Sequence, residues 1–293
     1  HGTDPTLADS DGDGYKDGLE VVSGSDPNDA GSAPAFPTLD GLLISEFMAD
    51  NNTLLDSDGD SPDWIELWNP TSSPINLAGH YLTDNRQAPN KWALPSITLQ
   101  PNRFLVIFAS GKDRIGPDGE LHTDFQLDKS AGSHLALSRE NDEGRFFTIS
   151  VFSLYPKQVE DVSFGAYGDD SPLSVGFFPD PTPGAANSSS AFDGFVADTS
   201  FSINRGLYTE PLTTTITTTT PGSTLIYTLD GTDPSSNNGS RVTPLDNLTP
   251  PSADIEVNTT TTLRVMAIKS GFQPTNIDTH TYIFPGDILQ QSN

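Results

Sequence analysis

Short runs of apolar and β-branched residues recur along the chain, and Gly, Pro, Asn or Asp bounds each run. One run spans Leu42–Met48, a second spans Trp64–Trp68, and an acidic loop separates the two. Both runs are rich in residue types that favour strands, and the loop carries turn signals. The pattern therefore predicts a strand, an acidic loop and a second strand over residues 42–69.

The same pattern continues to the end of the chain, and helical periodicity is nearly absent. Residues 103–109 are almost all apolar, which predicts a central strand, whereas residues 260–269 alternate like a strand with one buried face. Further strands are predicted at residues 77–82, 97–99, 134–139, 146–152, 159–164, 211–220, 224–229 and 278–284. Many short strands separated by turns are typical of β-sandwiches, so the predicted fold class is all-β.

The charge and the amino-acid composition of the chain exclude several classes of function. The 293 residues include 40 Asp and Glu against 14 Lys and Arg, a formal net charge of −26. This excess excludes unassisted binding to nucleic acid, whose phosphates attract cations, and it suits a chain that meets metal ions. Because Cys is absent, disulfides, thiolate catalysis and Cys-type zinc sites are excluded. The sequence has no run of 18 apolar residues, so we expect no membrane span.

Residues 9–20 follow the D-x-D-x-D-G-x5-E spacing of a calcium loop. Alternate carboxylates would point into one concavity, and Gly14 permits the sharp turn. Hard oxygen ligands in this number suit Ca²⁺ better than Mg²⁺, which resists dehydration. The expected ligands are Asp9, Asp11, Asp13, the backbone carbonyl of Tyr15, Asp17 through a water molecule, and Glu20. The alternative interpretation is an acidic linker without fixed structure.

Gly2-Thr3-Asp4-Pro5 recurs in similar form as Gly24-Ser25-Asp26-Pro27, and DSDGDG lies between them at residues 9–14. This half-repeat resembles the thrombospondin type 3 repeats of bacterial surface proteins. The resemblance implies that calcium orders a segment with almost no hydrophobic core, and that Asp26 is a further ligand or caps the site. Because the chain opens in mid-pattern, we expect it to be a piece of a longer protein.

Four blocks of sequence are LISEFMADN from Leu43, SPDWIELWNP from Ser61, LQPNRFLVIFASGKDR from Leu99 and PTPGAAN from Pro181. They resemble the bacterial lamin-tail domain, over residues 37–190. The resemblance implies an immunoglobulin-like β-sandwich and a non-enzymatic module of large secreted proteins.

YTLDGTDPS from Tyr227 and TTTLRVMAIKSGFQPTN from Thr260 resemble the C-terminal β-sandwich of chitobiases and β-hexosaminidases, an accessory module. A carbohydrate role would rest on association alone. The expected fold is thus two immunoglobulin-like β-sandwich domains in tandem behind a short N-terminal calcium-binding repeat. The expected divisions are residues 1–36, 37–190, 191–286 and a tail at 287–293.

The acidic loop between the first two strands departs from the calcium-loop spacing, because its sixth position is Ser61 and its twelfth is Leu67. A second calcium site and a solvated hairpin loop both remain open for it. The candidate ligands of this second site are Asp56, Asp58, Asp60, Asp63 and Glu66. The three tryptophans, Trp64, Trp68 and Trp92, are expected in the core rather than as sugar-stacking platforms.

No catalytic constellation is recognisable in the sequence, which lacks a nucleophile elbow, a phosphate loop and HExxH. His122 is expected on a surface loop rather than as a base or ligand. We therefore expect a non-catalytic, calcium-stabilised, extracellular region of a large bacterial surface or secreted protein, with a structural, adhesive or spacer role. The alternatives are a calcium-dependent carbohydrate-binding accessory module and a self-assembling fibre or surface-layer subunit, whose partner would be other copies of the chain.

Overall fold

A computed structural model of the chain describes residues 7, 9–12, 17, 26–30, 41–141, 143–168, 173–188 and 191–288. Strand makes up 43% and helix 2%, so the fold is all-β. The chain divides into two compact units, His1–Ala191 and Phe192–Asn293. The prediction of two immunoglobulin-like β-sandwich domains is confirmed. Within the described ranges, no helix has the length and apolarity needed to cross a membrane.

The strands of the first unit are β1 (Leu43–Met48), β2 (Asp63–Trp68), β3 (Ile75–Asn76), β4 (His80–Thr83), β5 (Trp92–Ala93), β6 (Thr98–Leu99), β7 (Phe104–Ala109), β8 (Arg114–Ile115), β9 (Leu121–His122), β10 (Ser133–Glu140), β11 (Phe146–Tyr155), β12 (Ser163–Tyr167) and β13 (Ser174–Phe178). In the described residues, one sheet has the order β13-β12-β1-β2-β7-β9-β8 and a second has the order β11-β10-β4-β5, while β3 pairs with β6. Only β7 and β9 pair in parallel in the large sheet as described.

Aromatic side chains join the large sheet to the second sheet. The ring of Phe47 on β1 lies 5.3 Å from that of Phe152 and 4.9 Å from that of Tyr155, both on β11. Phe164 on β12 completes the cluster, 5.9 Å from Phe47. All four side chains are buried, and rings of this size remove large apolar areas from water. The inner face of β1 is therefore the centre of the core.

The outer face of β1 is buried as well, since all six of its residues are inaccessible. Residues 182–187, the closing segment, cover this face. Asn187 Nδ2 donates hydrogen bonds to the backbone carbonyls of Ser45 (2.9 Å) and Ala166 (2.8 Å), which ties the segment to β1 and β12. Gly165 on β12 allows β12 to lie close to β1 here, because a Cβ atom at this position would be 2.3 Å from the Ser45 carbonyl oxygen.

Several local predictions meet different outcomes. Residues 104–109 form β7, which lies inside the large sheet, so the prediction of a central strand is confirmed. The predicted strand at 77–82 is wrong in its first half, because Gly79 has a φ of 80° in a turn and the strand begins at His80. Of the three tryptophans predicted to lie in the core, Trp64 and Trp92 are buried. Trp68 is half-buried, and its ring stacks on that of Phe104 with centroids 5.7 Å apart.

The elements of the second unit are β14 (Gly194–Phe195), β15 (Ser200–Phe201), β16 (Gly206–Leu207), β17 (Leu212–Thr217), β18 (Thr224–Thr228), β19 (Ser240–Val242), β20 (Ser252–Val257), β21 (Thr261–Ile268), β22 (Phe272–Gln273), β23 (Asp278–Ile283) and a short helix α1 (Pro285–Ile288). Its sheets have the orders β16-β23-β21-β18-β19, β15-β17-β20 and β14-β22. Leu263, Val265 and Ala267 alternate inward along β21, as the sequence predicts, and pack with Ile216 of β17 and Ile255 of β20.

Candidate metal centres

The first predicted calcium loop is described only in part. Asp9, Asp11, Asp17 and Asp26 lie in the described residues, whereas Asp13, Tyr15 and Glu20 lie outside them. Asp9 Oδ1 accepts a hydrogen bond from the Gly12 amide (2.8 Å). Asp17 accepts bonds from the amide (2.6 Å) and hydroxyl (2.7 Å) of Ser10. The carboxylates of Asp9 and Asp17 are thus both hydrogen-bonded to residues 10–12. Carboxylate oxygens are ligands that suit calcium.

Asp26 lies in a separate turn over residues 26–29. Its Oδ1 accepts a hydrogen bond from the Asn28 amide (3.1 Å), and its backbone carbonyl accepts one from the Asp29 amide (3.0 Å). A carboxylate that bonds the backbone two residues on is an Asx turn, which orders the chain locally. The role of Asp26 as a further ligand or cap stays a prediction.

The acidic loop between β1 and β2 brings together three of the five carboxylates predicted for the second site. Oxygen atoms of Asp56, Asp58 and Asp60, the Asp triad, lie within 4.8 Å of one another. Asp56 organises the loop, because its Oδ1 accepts bonds from the amides of Asp58 (2.9 Å) and Asp60 (3.0 Å). Gly59 turns the loop with a φ of 85°. The loop therefore holds its carboxylates together through its own backbone.

A lysine of the same chain supplies a cation to the Asp triad. Lys112 Nζ, from the loop after β7, lies 2.5 Å from Asp56 Oδ2, 2.7 Å from Asp58 Oδ2 and 2.8 Å from Asp60 Oδ2. Hydrogen bonds to the three carboxylates raise the pKa of Lys112, so its amine stays charged. Arg114 of β8 also pairs with Asp58. This arrangement leaves no mark in the local sequence pattern, because more than fifty residues separate Lys112 from the triad.

Asp63 and Glu66 lie apart from the Asp triad. Asp63 begins β2, where burial raises its pKa to about 6 and the backbone amides of Asn51 and Leu127 bond it. Glu66 lies in the middle of β2 and is fully buried. A strand advances about 3.3 Å per residue, so β2 carries Glu66 away from the loop. The structure therefore divides the five predicted ligands into a triad, a strand-end carboxyl and a buried carboxyl.

The buried carboxyl of Glu66 has a partner that is absent from the predicted ligands. Glu46 on β1 is its cross-strand neighbour, and neither side chain is exposed to solvent. Burial raises the pKa of Glu66 to about 8, and the nearby Glu46 adds to the shift. Burial likewise raises the pKa of Glu46. The available signal is one Glu in the interior of each of two strands rich in apolar residues, LISEFM and DWIELW.

His122 is buried, so its prediction as a surface-loop histidine is wrong. It lies on β9, which pairs in parallel with β7, and its ring stacks on Phe108 with centroids 5.4 Å apart. Its Nδ1 lies 3.0 Å from Ser110 Oγ. Burial, with Arg114 nearby, lowers the pKa of His122. A neutral ring held in this way is a packing element of the sheet.

Three parts of the chain match known protein families. Residues 37–150 match the Lamin Tail Domain. We call the first compact unit, His1–Ala191, the lamin tail unit after this match. Residues 203–279 match the Chitobiase/beta-hexosaminidase C-terminal domain, and residues 9–30 match the Bacterial TSP3 repeat. These are the families that the sequence predicts, in the predicted order. The sheet of the lamin tail unit continues past residue 150, since β12 and β13 extend it.

One solved structure similar to this chain is titled "Biofilm associated protein - BSP domain". The similarity has 17% identity and a TM-score of 0.21, and it covers 97% of this chain. The chain corresponds to 34% of that protein's length. No curated protein matches the chain.

Proposed function

We propose that the chain is a non-catalytic, calcium-stabilised structural region of a bacterial surface or secreted protein, serving as an adhesive or spacer segment. The observation that carries the proposal is the match of residues 9–30 to a calcium-binding repeat family. The other two matched families are non-catalytic modules, which supports a structural role. A net charge of −26 also suits a chain that works in calcium-rich surroundings outside the cell.

Calcium would be held by the first loop. Its ligands would be Asp9, Asp11, Asp13, the Tyr15 carbonyl, Asp17 and Glu20, with Asp26 as a further ligand or cap. When bound, the ion neutralises the carboxylates and orders a segment that has little apolar side chain to bury. An ion that binds only the folded state stabilises it by RT ln(1 + [L]/Kd), about 3 kcal/mol at roughly a hundredfold excess over Kd.

The Asp triad would not take calcium in this chain. The ammonium of Lys112 lies 2.5–2.8 Å from the three carboxylates and already supplies their counter-charge. A calcium ion would have to displace both this amine and the Arg114 pairing with Asp58. We therefore assign the calcium dependence of the chain to the first loop alone.

The test uses the intact chain. Excess EDTA should lower the melting temperature and speed protease cleavage within residues 1–36, and added calcium should reverse both effects. Asp9→Asn should weaken the calcium response, whereas the control Asp124→Asn, at an exposed position outside both loops, should leave it unchanged. Identical melting and cleavage in EDTA and in calcium would refute the calcium part of the proposal.

A second candidate is self-assembly by strand addition. Strand β11 is ten residues long, carries no charged side chain and lies at the edge of its sheet as described. Edge strands of this kind pair readily with other chains. Phe147 is exposed on it, so Phe147→Lys should abolish any concentration-dependent oligomers seen by light scattering. If the parent chain is monomeric at every concentration, self-assembly is refuted, whereas the spacer role is unaffected.

A carbohydrate-binding role receives less support. Such a module needs exposed aromatic rings in a row, whereas Trp64 and Trp92 are buried and Trp68 is half-buried. A glycan array without signal is the expected result.

A further inference from the structure

Two carboxyl groups face each other on the outer side of the lamin tail unit's large sheet. Glu46 of β1 and Glu66 of β2 are directly opposed in an antiparallel pair, where Cβ atoms lie about 5 Å apart. Neither residue has any solvent exposure. Burying a charged carboxylate without a cation is costly, and burying two side by side is more so.

The closing segment covers the two glutamates and is hydrogen-bonded to both of them. The Thr182 amide donates a hydrogen bond to Glu46 Oε1 (3.2 Å), and the Gly184 amide donates one to Glu66 Oε2. The other bonds from the segment to the sheet in the described residues come from the Thr182 amide (3.4 Å) and hydroxyl (3.4 Å) to Glu46 Oε2 and from Asn187. The carboxyl pair thus supplies a large share of the attachment.

The polar groups around the pair are hydroxyls and amides. Ser163 Oγ of β12 donates to Glu46, and Ser45 Oγ of β1 lies 2.7 Å from Glu66 Oε1. Strand β7 presents Val106 opposite Glu66, and β12 presents Gly165 opposite Glu46. Among the described neighbours, the one titratable group acting on Glu66 is therefore Glu46.

The geometry around Glu66 accommodates a proton. Ser45 Oγ lies 2.7 Å from Glu66 Oε1 and 3.3 Å from the Glu66 backbone carbonyl. A neutral Glu66 can donate its O–H to Ser45 Oγ, while Ser45 donates its own hydrogen to that carbonyl. The second oxygen of Glu66 still accepts from the Gly184 amide. Every polar atom is then satisfied with one proton on the pair.

We propose that Glu46 and Glu66 form a proton-dependent latch, in which one proton held by Glu66 keeps the closing segment in place across β12, β1 and β2, and rising pH releases the segment. The segment is the part that moves, because β1 and β2 each pair with strands on both sides whereas the segment does not belong to a sheet. Lifting it exposes both carboxyls to water, and local openings of this kind need less free energy than global unfolding.

The sign of the pH effect follows from proton linkage. Burial raises the pKa of Glu66 from its ordinary 4.5 to about 8 in the closed state. Between these values the closed state binds more protons than the open state, so closure weakens as pH rises. The attachment is strongest below pH 4.5, falls steadily to about pH 8 and stays weak above it.

The test compares the intact chain with Glu66→Gln by amide hydrogen exchange. A Gln side chain keeps a donor towards Ser45 and an acceptor for Gly184, so the fold should persist. Between pH 6 and 8, exchange at the Gly184 amide should rise about a hundredfold per pH unit in the parent, from hydroxide catalysis and proton-linked opening together. It should rise only about tenfold per pH unit in Glu66→Gln. Glu256→Gln, at an exposed strand position of the second unit, should behave as the parent.

A second measurement requires no variant. The side-chain carboxyl carbon of Glu66, followed by ¹³C NMR in the parent chain, should titrate far above the range of ordinary glutamates. Titration near pH 4.5, or equal pH dependence of Gly184 exchange in the parent and in Glu66→Gln, would overturn the latch. Neither result would bear on calcium binding, so the two proposals are tested separately.

Discussion

Lys112 Nζ lies 2.5 Å from Oδ2 of Asp56, a carboxylate whose side chain is inaccessible to solvent. With Asp58 and Asp60 completing the surroundings, the ammonium occupies the position that a metal ion takes in many acidic loops. The loop thus has the carboxylates of a cation site together with a cation covalently attached to the chain.

Removing this cation should turn the loop into a calcium site. In Lys112→Met, the three carboxylates repel one another and only the Arg114 pairing at Asp58 offsets the repulsion, so the melting temperature in EDTA should fall by a few degrees. Added calcium should restore it, and isothermal titration should detect a calcium site absent from the parent. Lys112→Arg, which keeps the charge, is the matched control. A Lys112→Met variant that melts identically with and without calcium would contradict the prediction.

The aromatic cluster at Phe47 should dominate the stability of the lamin tail unit. Phe47→Ala removes a fully buried ring that contacts Phe152 and Tyr155, and should lower the free energy of unfolding by about 4 kcal/mol. Phe147→Ala, at an exposed position on β11, should change it by less than about 0.5 kcal/mol. Urea denaturation monitored by fluorescence measures both. Comparable losses in the two variants would show that the cluster is not the core.

Gly165 should not tolerate a side chain. An added Cβ would lie 2.3 Å from the Ser45 carbonyl oxygen and 2.9 Å from Glu46 Cα, and both obstacles are backbone atoms. Gly165→Ala should therefore destabilise the unit by about 3 kcal/mol in urea denaturation. Gly41→Ala, where a Cβ meets open space, is the control. A stable Gly165→Ala variant would mean that β1 and β12 can separate at low cost.

His134 should make the chain sensitive to acid. Burial, with Arg86 nearby, lowers the pKa of His134 from 6.5 to about 4, and its Nδ1 lies 3.0 Å from Ser153 Oγ. Between these values the unfolded chain binds more protons, so the contribution is complete above pH 6.5 and is lost as pH falls to about 4. His134→Gln should show a smaller drop in melting temperature than the parent between pH 7 and 4. Parallel curves for the two proteins would contradict this assignment.

The pattern of apolar and polar residues predicts those features of the fold that depend on residues close together in the sequence. The alternation along β21 and the apolar run of β7 follow from the fixed two-residue period of a strand, and the structure has both. The predicted start of β4 is wrong, because the turn at Gly79 leaves little trace in the pattern of apolar residues. Such errors shift a strand boundary without changing the fold.

Contacts between distant residues could not be predicted in this way. Closeness in sequence groups Asp63 and Glu66 with the Asp triad, yet β2 separates them from it in space. Lys112 reaches the triad only because β2 and β7 are adjacent in the sheet. Glu46 and Glu66 become a closed pair only when residues 182–187 fold over them.

The closing segment also fixes the order in which the lamin tail unit can be completed. Asn187 bonds the backbone of Ser45 across 142 residues of sequence. During synthesis, β1 and β2 therefore emerge long before the residues that shield their outer face. A chain that stops at residue 150 would leave both glutamates and the outer face of β1 open to water. A recombinant form of this domain needs its C-terminus beyond Asn187 to fold without aggregating.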